Sequence, residues 1–206
     1  LTNCLNFGNP ENPKVMRQFS DAVDGMSKAC SELGIPVVSG NVSLYNETHG
    51  NDIYPTPVIG MVGLIENHLL TVPQGFCNLG DKIFLISPQG EAPLPNNTPH
   101  ELAWIKTGYE GGDTPISSLS SAKSVNSTCR EAVKNKVINS SHDLGEGGLA
   151  VALAESILSS PSSCLGASIK LPSSCVGRID SILFGESCSR IVVSLDPKEI
   201  NNLNKK

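Results

Sequence analysis

Gly40, Asn41 and Ser43 lie together in the segment SGNVSLYNET, Ser39 to Thr48, and Asn3 lies upstream in TNCLNFGNPE. Each type has its own chemistry to offer. A glycine lets backbone approach a ligand with no side chain in the way. A carboxamide oxygen such as that of Asn41 suits a magnesium ion that already holds phosphate oxygens. A serine hydroxyl donates to a phosphate or ribose oxygen. Glu47 and His49 follow closely, with open roles. Gly, Asn and Ser also build ordinary turns, so the pattern alone leaves ligand binding and a structural turn both standing.

A second group is His142-Asp143, followed by Gly145, Gly147, Gly148 and the apolar run LAVALAES. Glycines that open a helix expose amides where the helix terminus favours an anion. The spacing is neither GxGxxG nor a loop ending in GK[ST], so it is not a Rossmann or P-loop signature. His142 and Asp143 read either as an acid–base or nucleotide contact or as a hydrogen-bonded helix entry. A third group is Glu186, Ser187 and Arg190, where an ion pair between Glu186 and Arg190 is the simplest reading. Cys4 and Cys188 have no neighbouring histidine in sequence and read as inert thiols. His68 and His100 read as surface or loop residues.

The elements that position these groups follow from apolar spacing. Pro13 suits a first helical turn. Met16, Phe19, Val23, Met26, Cys30 and Leu33 then recur at three or four residues, and Gly34 offers a left-handed stop,. This predicts a helix over 14–33, with that stripe as its packing face. Ile35 to Ser39 reads as a strand that leads into the polar turn. Pro57 to Ile65 is so uniformly apolar that it predicts a strand covered on both sides.

A boundary is expected near 66–72. Beyond it, Lys82 to Ser87 reads as a strand and the proline-rich 88–99 as loop. Helices are expected from Thr98 or Pro99 to Lys106, over 121–135 and over Leu149 to Leu158. Short strands are expected at Val137–Ile138, Ser181–Phe184 and Arg190–Leu195, then a turn or short helix from Asp196. This grammar is that of an α/β (α+β) protein.

Composition removes several function classes. Aromatics make up 4% of 206 residues and the net charge is −5, which disfavours stacking on nucleic acid or tracking its phosphates. No apolar stretch is long enough for a membrane-spanning helix. Seven scattered cysteines without CxxC spacing predict neither a metal cluster nor a disulfide framework,. They fit reduced thiols in the cytoplasm. LTNCLNFGNP lacks the features of a signal peptide, and Leu1 reads as an internal position,.

Longer motifs then point to a family. TNCLNFGNPENPKV (Thr2 to Val15), LGIPVVSGNVSLYNET (Leu33 to Thr48) and TPVIGMVG (Thr56 to Gly63) closely resemble phosphoribosylformylglycinamidine synthase, in its synthetase subunit or domain. SHDLGEGGLAVALAES (Ser141 to Ser156) and LFGESCSRIVVS (Leu183 to Ser194) resemble that family's later motifs, in the same order. The resemblance implies a PurM-like, AIR-synthase-like architecture. Residues 1–67 would be the C-terminal portion of the ATP-binding domain, and 68–206 the C-terminal-type α/β domain.

The implied reaction converts formylglycinamide ribonucleotide to the amidine with ATP, magnesium and ammonia from glutamine. Asn3 and Gly40 would match ATP-binding positions, Asn41 a magnesium ligand and Ser43 a substrate contact. The family's catalytic histidines lie in its first half, outside the matched motifs, so no catalytic residue is expected here and the chain alone is expected to be inactive. The implied partners are a missing N-terminal half or complementary synthetase chain, a glutaminase subunit or domain, and formylglycinamide ribonucleotide. Neither nucleic acid nor membrane is implied, and the expected location is cytoplasmic. An incomplete first domain is expected to expose apolar sheet surface.

Departures from the family pattern are visible too. Residues 89–110 carry no GGSEY-like segment, Gly145-Glu146 stand where Ser-Asp is commoner, and Gly185 where Ser is commoner. An auxiliary nucleotide site in the last domain is therefore expected to be eroded. A related synthase such as aminoimidazole ribonucleotide synthase is the nearest alternative, against which YNET and CLNFGNPE argue. A noncatalytic nucleotide-binding or structural module is the other, favoured by the unusual region 89–128.

Overall fold

The computed structural model describes residues 1–88, 101–109, 111, 118–162, 165–171 and 177–203. The chain divides into two compact units, Leu1–Glu66 and Asn67–Lys206.

In the first unit, strand β1 (Thr2–Asn6) leads to helix α1 (Pro13–Leu33). The side chain of Asn12 accepts from the Lys14 amide at 3.0 Å, Pro13 fills the first turn, and Gly34 closes the helix at φ 68°,. The packing stripe keeps the expected Phe19 and Met26 but takes Val15 and Ala22 in place of Met16 and Val23. Val15, Phe19, Ala22 and Met26 face the core, while Met16 and Val23 are exposed. The stripe is set by Phe7, which is fully buried and meets Phe19 edge-on, with ring centroids 5.3 Å apart,.

Strand β2 is Ser39–Ser43, not the expected 35–39, so Gly40 and Asn41 lie in a strand and not in a turn. The reason is local. The Ile35 amide is spent on the Cys30 carbonyl at the helix end, and Pro36 has no amide hydrogen to give,. A short hairpin follows, β3 (Glu47–Thr48) and β4 (Asn51–Asp52), turned by His49 and Gly50 at φ 51° and 76°,. Strand β5 (Thr56–Gly60) pairs antiparallel with β1, and β2 pairs parallel with it, giving the order β2-β1-β5. The expected two-sided cover of 57–65 is not found within this unit. All of β5 is exposed, and Val62 and Leu64 beyond it are 96% and 90% exposed. The one helix here packs on the Leu5 face of the sheet, leaving the apolar 57–65 segment without a covering layer.

The second unit begins with a 3-10 turn at His68–Leu70 and strand β6 (Lys82–Ile86). The expected loop over 89–99 and the start of the next helix lie outside the described residues. Helix α2 is described as Glu101–Thr107 and α3 as Leu119–Lys134. Strand β7 (Ser140–Asp143) starts later than expected, because Val137 and Ile138 are buried in the connection before it. Helix α4 (Gly148–Leu158) follows.

Ile179–Phe184 forms helix α5, where a strand was expected over Ser181–Phe184. So short an apolar run has no period to decide between the two. Asp180 accepts from the Ser181 amide at 3.0 Å, and Gly185 closes back on Ser181. Strand β8 (Ile191–Leu195) is central in the antiparallel order β6-β8-β7, with Pro197–Glu199 and α6 (Ile200–Leu203) after it. Val193 and Leu195 join Cys129 and Ala132 of α3 in one buried cluster. Val192 joins Leu149, Ala152 and Leu153 of α4 in another. The sheet is therefore covered on both faces, which is why β8 reads IVVSL without polar alternation,.

Candidate functional site

The parallel ladder of β1 and β2 places Asn3 beside Gly40, Cys4 beside Asn41 and Asn6 beside Ser43. Strand alternation then sorts the four candidate residues into two pairs. Asn3 and Gly40 share the face of Leu5, which is buried against Phe7 and Val15 under α1. Asn41 and Ser43 share the opposite face with Cys4 and Asn6, where Ser39 Oγ donates to Thr2 Oγ1 at 2.7 Å.

Asn3 and Gly40 touch. A Cβ on Gly40 would lie 2.3 Å from Asn3 Oδ1, so the carboxamide rests directly on that backbone. Asn3 also borders a groove of about 480 Å³, with Val23, Met26, Ser27 and Cys30 of α1 on its other wall.

On the opposite face, Ser43 Oγ donates to Asn46 Oδ1 at 3.1 Å. Asn46 Nδ2 in turn donates to the carbonyls of Phe7 and Ser43, both at 3.0 Å. Asn46 thus fixes the hydroxyl and joins the end of β2 to the end of β1. Sequence reading passed over it, although an asparagine three residues after a strand-end serine is itself a turn signal. Asn41 is exposed, and among the described residues its carboxamide makes no hydrogen bond. Asp52 was also passed over. It accepts from the Asn9 amide at 2.7 Å, and a Cβ on Gly8 would fall 2.3 Å from the same oxygen. No sequence signal links Asp52 to Gly8, since only the fold brings them together. Glu47 and His49 lie on the exposed hairpin.

The glycine-rich group of the second unit is arranged differently. His142 lies in β7, its ring largely buried, with Nε2 3.0 Å from Glu155 Oε2 on α4 and Nδ1 3.6 Å from Asp143. Gly147 and Gly148 enter α4 at φ 78° and 63°. The Gly147 amide donates to Glu186 Oε1 at 3.0 Å, and the same oxygen accepts from the Glu101 amide at 3.0 Å. The start of α4 therefore already holds an anion, supplied by the chain itself. Gly148 serves close packing: a Cβ there would meet the Gly185 carbonyl oxygen at 2.7 Å.

The expected pairing of Arg190 with Glu186 does not form. Arg190 Nη2 donates to the Gly185 carbonyl at 2.5 Å. Cys77 is pushed above the usual thiol range, first by burial and then by Asp81. Cys4 is half-buried, whereas Cys188 is exposed. Among the described residues, no group of three His, Cys, Asp or Glu could hold a metal, and no helix is long and apolar enough to cross a membrane.

With that geometry, the comparisons with known proteins are decisive for the family. Residues 1–65 match the AIR synthase related protein, N-terminal domain, and residues 80–205 match its C-terminal domain. The chain belongs to the AIR synthase related family. The PurM-like fold expected from the motifs is thereby shown, with mixed helices and strands in both units.

Among curated relatives, the phosphoribosylformylglycinamidine synthase subunit PurL of Anaeromyxobacter sp. (strain Fw109-5) is 45% identical over 97% of this chain and 26% of its own length. The subunit from strain K is 46% identical over the same shares. The chain spans about a quarter of the length of these relatives. The resemblance read from the motifs is thus to the same proteins. Among solved structures, PurLQS from Thermotoga maritima superposes with a TM-score of 0.64 at 16% identity, covering 99% of this chain and 31% of that one. T. maritima PurL complexed with ATP gives 0.63 at 14% identity, over 99% and 30%. The hydrogenase maturation protein HypE of E. coli gives 0.60 at 14% identity, over 98% and 61%. At such identities these structures speak for the fold.

Proposed function

We propose that this chain is part of a phosphoribosylformylglycinamidine synthase. Such an enzyme is an ATP-dependent ligase that converts formylglycinamide ribonucleotide to the amidine with glutamine-derived ammonia in purine synthesis. The observation that carries the reading is 45% identity to a PurL subunit over 97% of the chain. Asn3 and Gly40 would meet ATP, Asn41 a magnesium ion and Ser43 the ribonucleotide.

The two pairs lie on opposite faces, and the topology gives them a way to act on one ligand. β2 is an edge strand. A nucleotide along its free edge would meet backbone at Gly40 and side chains from both faces. Gly40 keeps that edge narrow, Asn46 holds the Ser43 hydroxyl in place, and Asn41 offers a carboxamide oxygen with no competing bond among the described residues. One neutral oxygen is a poor magnesium site on its own, but it fits an ion that takes its other ligands from phosphates and water. Bound there, magnesium would offset charge on the phosphoryl group in transfer.

The remaining parts of the reading are the partners: the rest of the synthetase, a glutaminase subunit or domain, and a cytoplasmic setting. The chain alone would not turn over. The test is ATP-dependent amidine formation from formylglycinamide ribonucleotide, by this chain alone and by an intact synthetase that contains it. The reading expects activity only in the intact protein. An intact protein that is inert on this substrate but acts on another ribonucleotide would overturn it.

A further inference from the structure

The second unit has a cavity of about 1110 Å³ on the α4 side of its sheet. Phe76, Ile83, Leu149, Leu153, Leu165 and Val192 make much of its wall apolar. Its size is slightly above the range of about 300–1,000 Å³ usual for small-molecule sites, which are mostly apolar with a few polar groups that fix orientation.

Two of those polar groups are unusual. The Oγ of Ser181, whose residue is 2% exposed, and the Nε of Arg190 are the buried side-chain polar atoms without a partner among the described residues. Both residues line this one cavity. Buried polar groups are almost always bonded, so two orphans at one wall call for an explanation. Chance packing defects would have no reason to converge.

The charge arrangement points the same way. Burial lowers the pKa of the Arg190 guanidinium, and among the described residues no carboxylate opposes that shift. Glu186, close in sequence, is engaged by the Gly147 and Glu101 amides. Asp81 also lines the cavity, but it accepts from Asn139 at 2.9 Å and from Ser194 at 3.4 Å. The other charged lining residues are Lys82, Lys170 and Arg178, and the last is already paired with Asp180. Arg190 is partly buried, with Nη2 donating to the Gly185 carbonyl and no carboxylate paired with it among the described residues, so an anion from outside would supply the missing charge,.

We propose that this cavity binds a small apolar carboxylate, an aliphatic or aromatic acid whose carboxylate pairs with Arg190 and accepts from Ser181. The apolar body lies along Leu149, Leu153 and Val192. Both orphan atoms are sealed from solvent, so entry includes side-chain rotations that turn them to the bound carboxylate. The site is independent of the β2 edge and of the ligase reading.

The test uses octanoate and its neutral counterpart 1-octanol, titrated calorimetrically into the whole chain. Octanoate should bind at least about tenfold more tightly than the alcohol, as expected for charge-assisted hydrogen bonds. Arg190→Met should remove that preference and leave octanol binding unchanged, while Ser181→Ala should weaken octanoate several-fold. If Arg190→Met does not fold, the acid–alcohol contrast in the unaltered chain and the Ser181→Ala variant still decide. Equal affinity for acid and alcohol, no saturation by octanoate at millimolar concentrations, or full affinity in Ser181→Ala would each overturn the proposal.

Discussion

The two units use the same residue types to opposite ends. In Asn67–Lys206, a sheet lies between α3 and α4, and the polar groups around its glycines have partners: His142 meets Glu155, and Glu186 holds two amides. In Leu1–Glu66, one helix covers one face of the sheet, β5 is open, and the Asn41 carboxamide makes no bond within the described residues. The lesson is that a glycine-rich polar segment becomes a site by what it leaves unsatisfied. Gly147 and Gly148 build an anion cradle that Glu186 fills, while Gly40 and Asn41 leave donors and acceptors facing outward.

That contrast can be broken most sharply by placing a charge in each unit. Val193→Asp puts an unpaired carboxylate at a fully buried position and should cost about 3–5 kcal/mol, unfolding the second unit,. Val62→Asp, at a 96% exposed site, should change stability by no more than about 0.5 kcal/mol,. Urea denaturation monitored by circular dichroism compares them, and a similar loss in both would mean that residues 57–65 are covered after all.

The glycines give the next largest effect. Gly148→Ala meets backbone at 2.7 Å with φ at 63°, and should cost about 1–3 kcal/mol with no side-chain remedy,. Gly40→Ala meets the Asn3 side chain, so Asn3→Ala should recover most of a similar loss,. A thermal-melt double-mutant cycle reads this, and an additive result would show that Asn3 does not rest on Gly40. A smaller effect is expected from Glu186→Gln, which leaves an acceptor but removes the charge at the start of α4. About 0.3–1 kcal/mol should be lost at low salt, and less at high salt,. A loss that does not change with salt would mean that charge plays no part there.

Much of this organisation was legible before any coordinates. Pro13 and Gly34 bracket α1 because both act through local backbone geometry. The strand at β8 was legible from its mostly apolar run, whereas the two covered faces expected of 57–65 belong instead to β8, whose cover the sequence reading did not single out. What was not legible depends on how backbone amides are spent and on distant partners. β2 starts at Ser39 because Ile35 and Pro36 have no amides to spare, and its ladder partner is β1. Until Gly40–Ser43 is known to be a strand, nothing separates Asn3 and Gly40 from Asn41 and Ser43. The motif resemblance named all four residues, but only strand alternation assigns them to faces. α5 was misread as a strand because six residues carry too little period, and Asp52 was missed because its partner is Asn9 across the fold.

The most direct measurement is magnesium-dependent ATP binding by an intact synthetase containing this chain, with Asn41→Ala set against Glu186→Gln. The account predicts that Asn41→Ala weakens magnesium-ATP at least about tenfold while leaving the melting temperature unchanged, since the carboxamide makes no bond among the described residues,. Glu186→Gln should leave nucleotide affinity as it was. Unchanged affinity in Asn41→Ala, or a loss confined to Glu186→Gln, would contradict the placement of the site on β2.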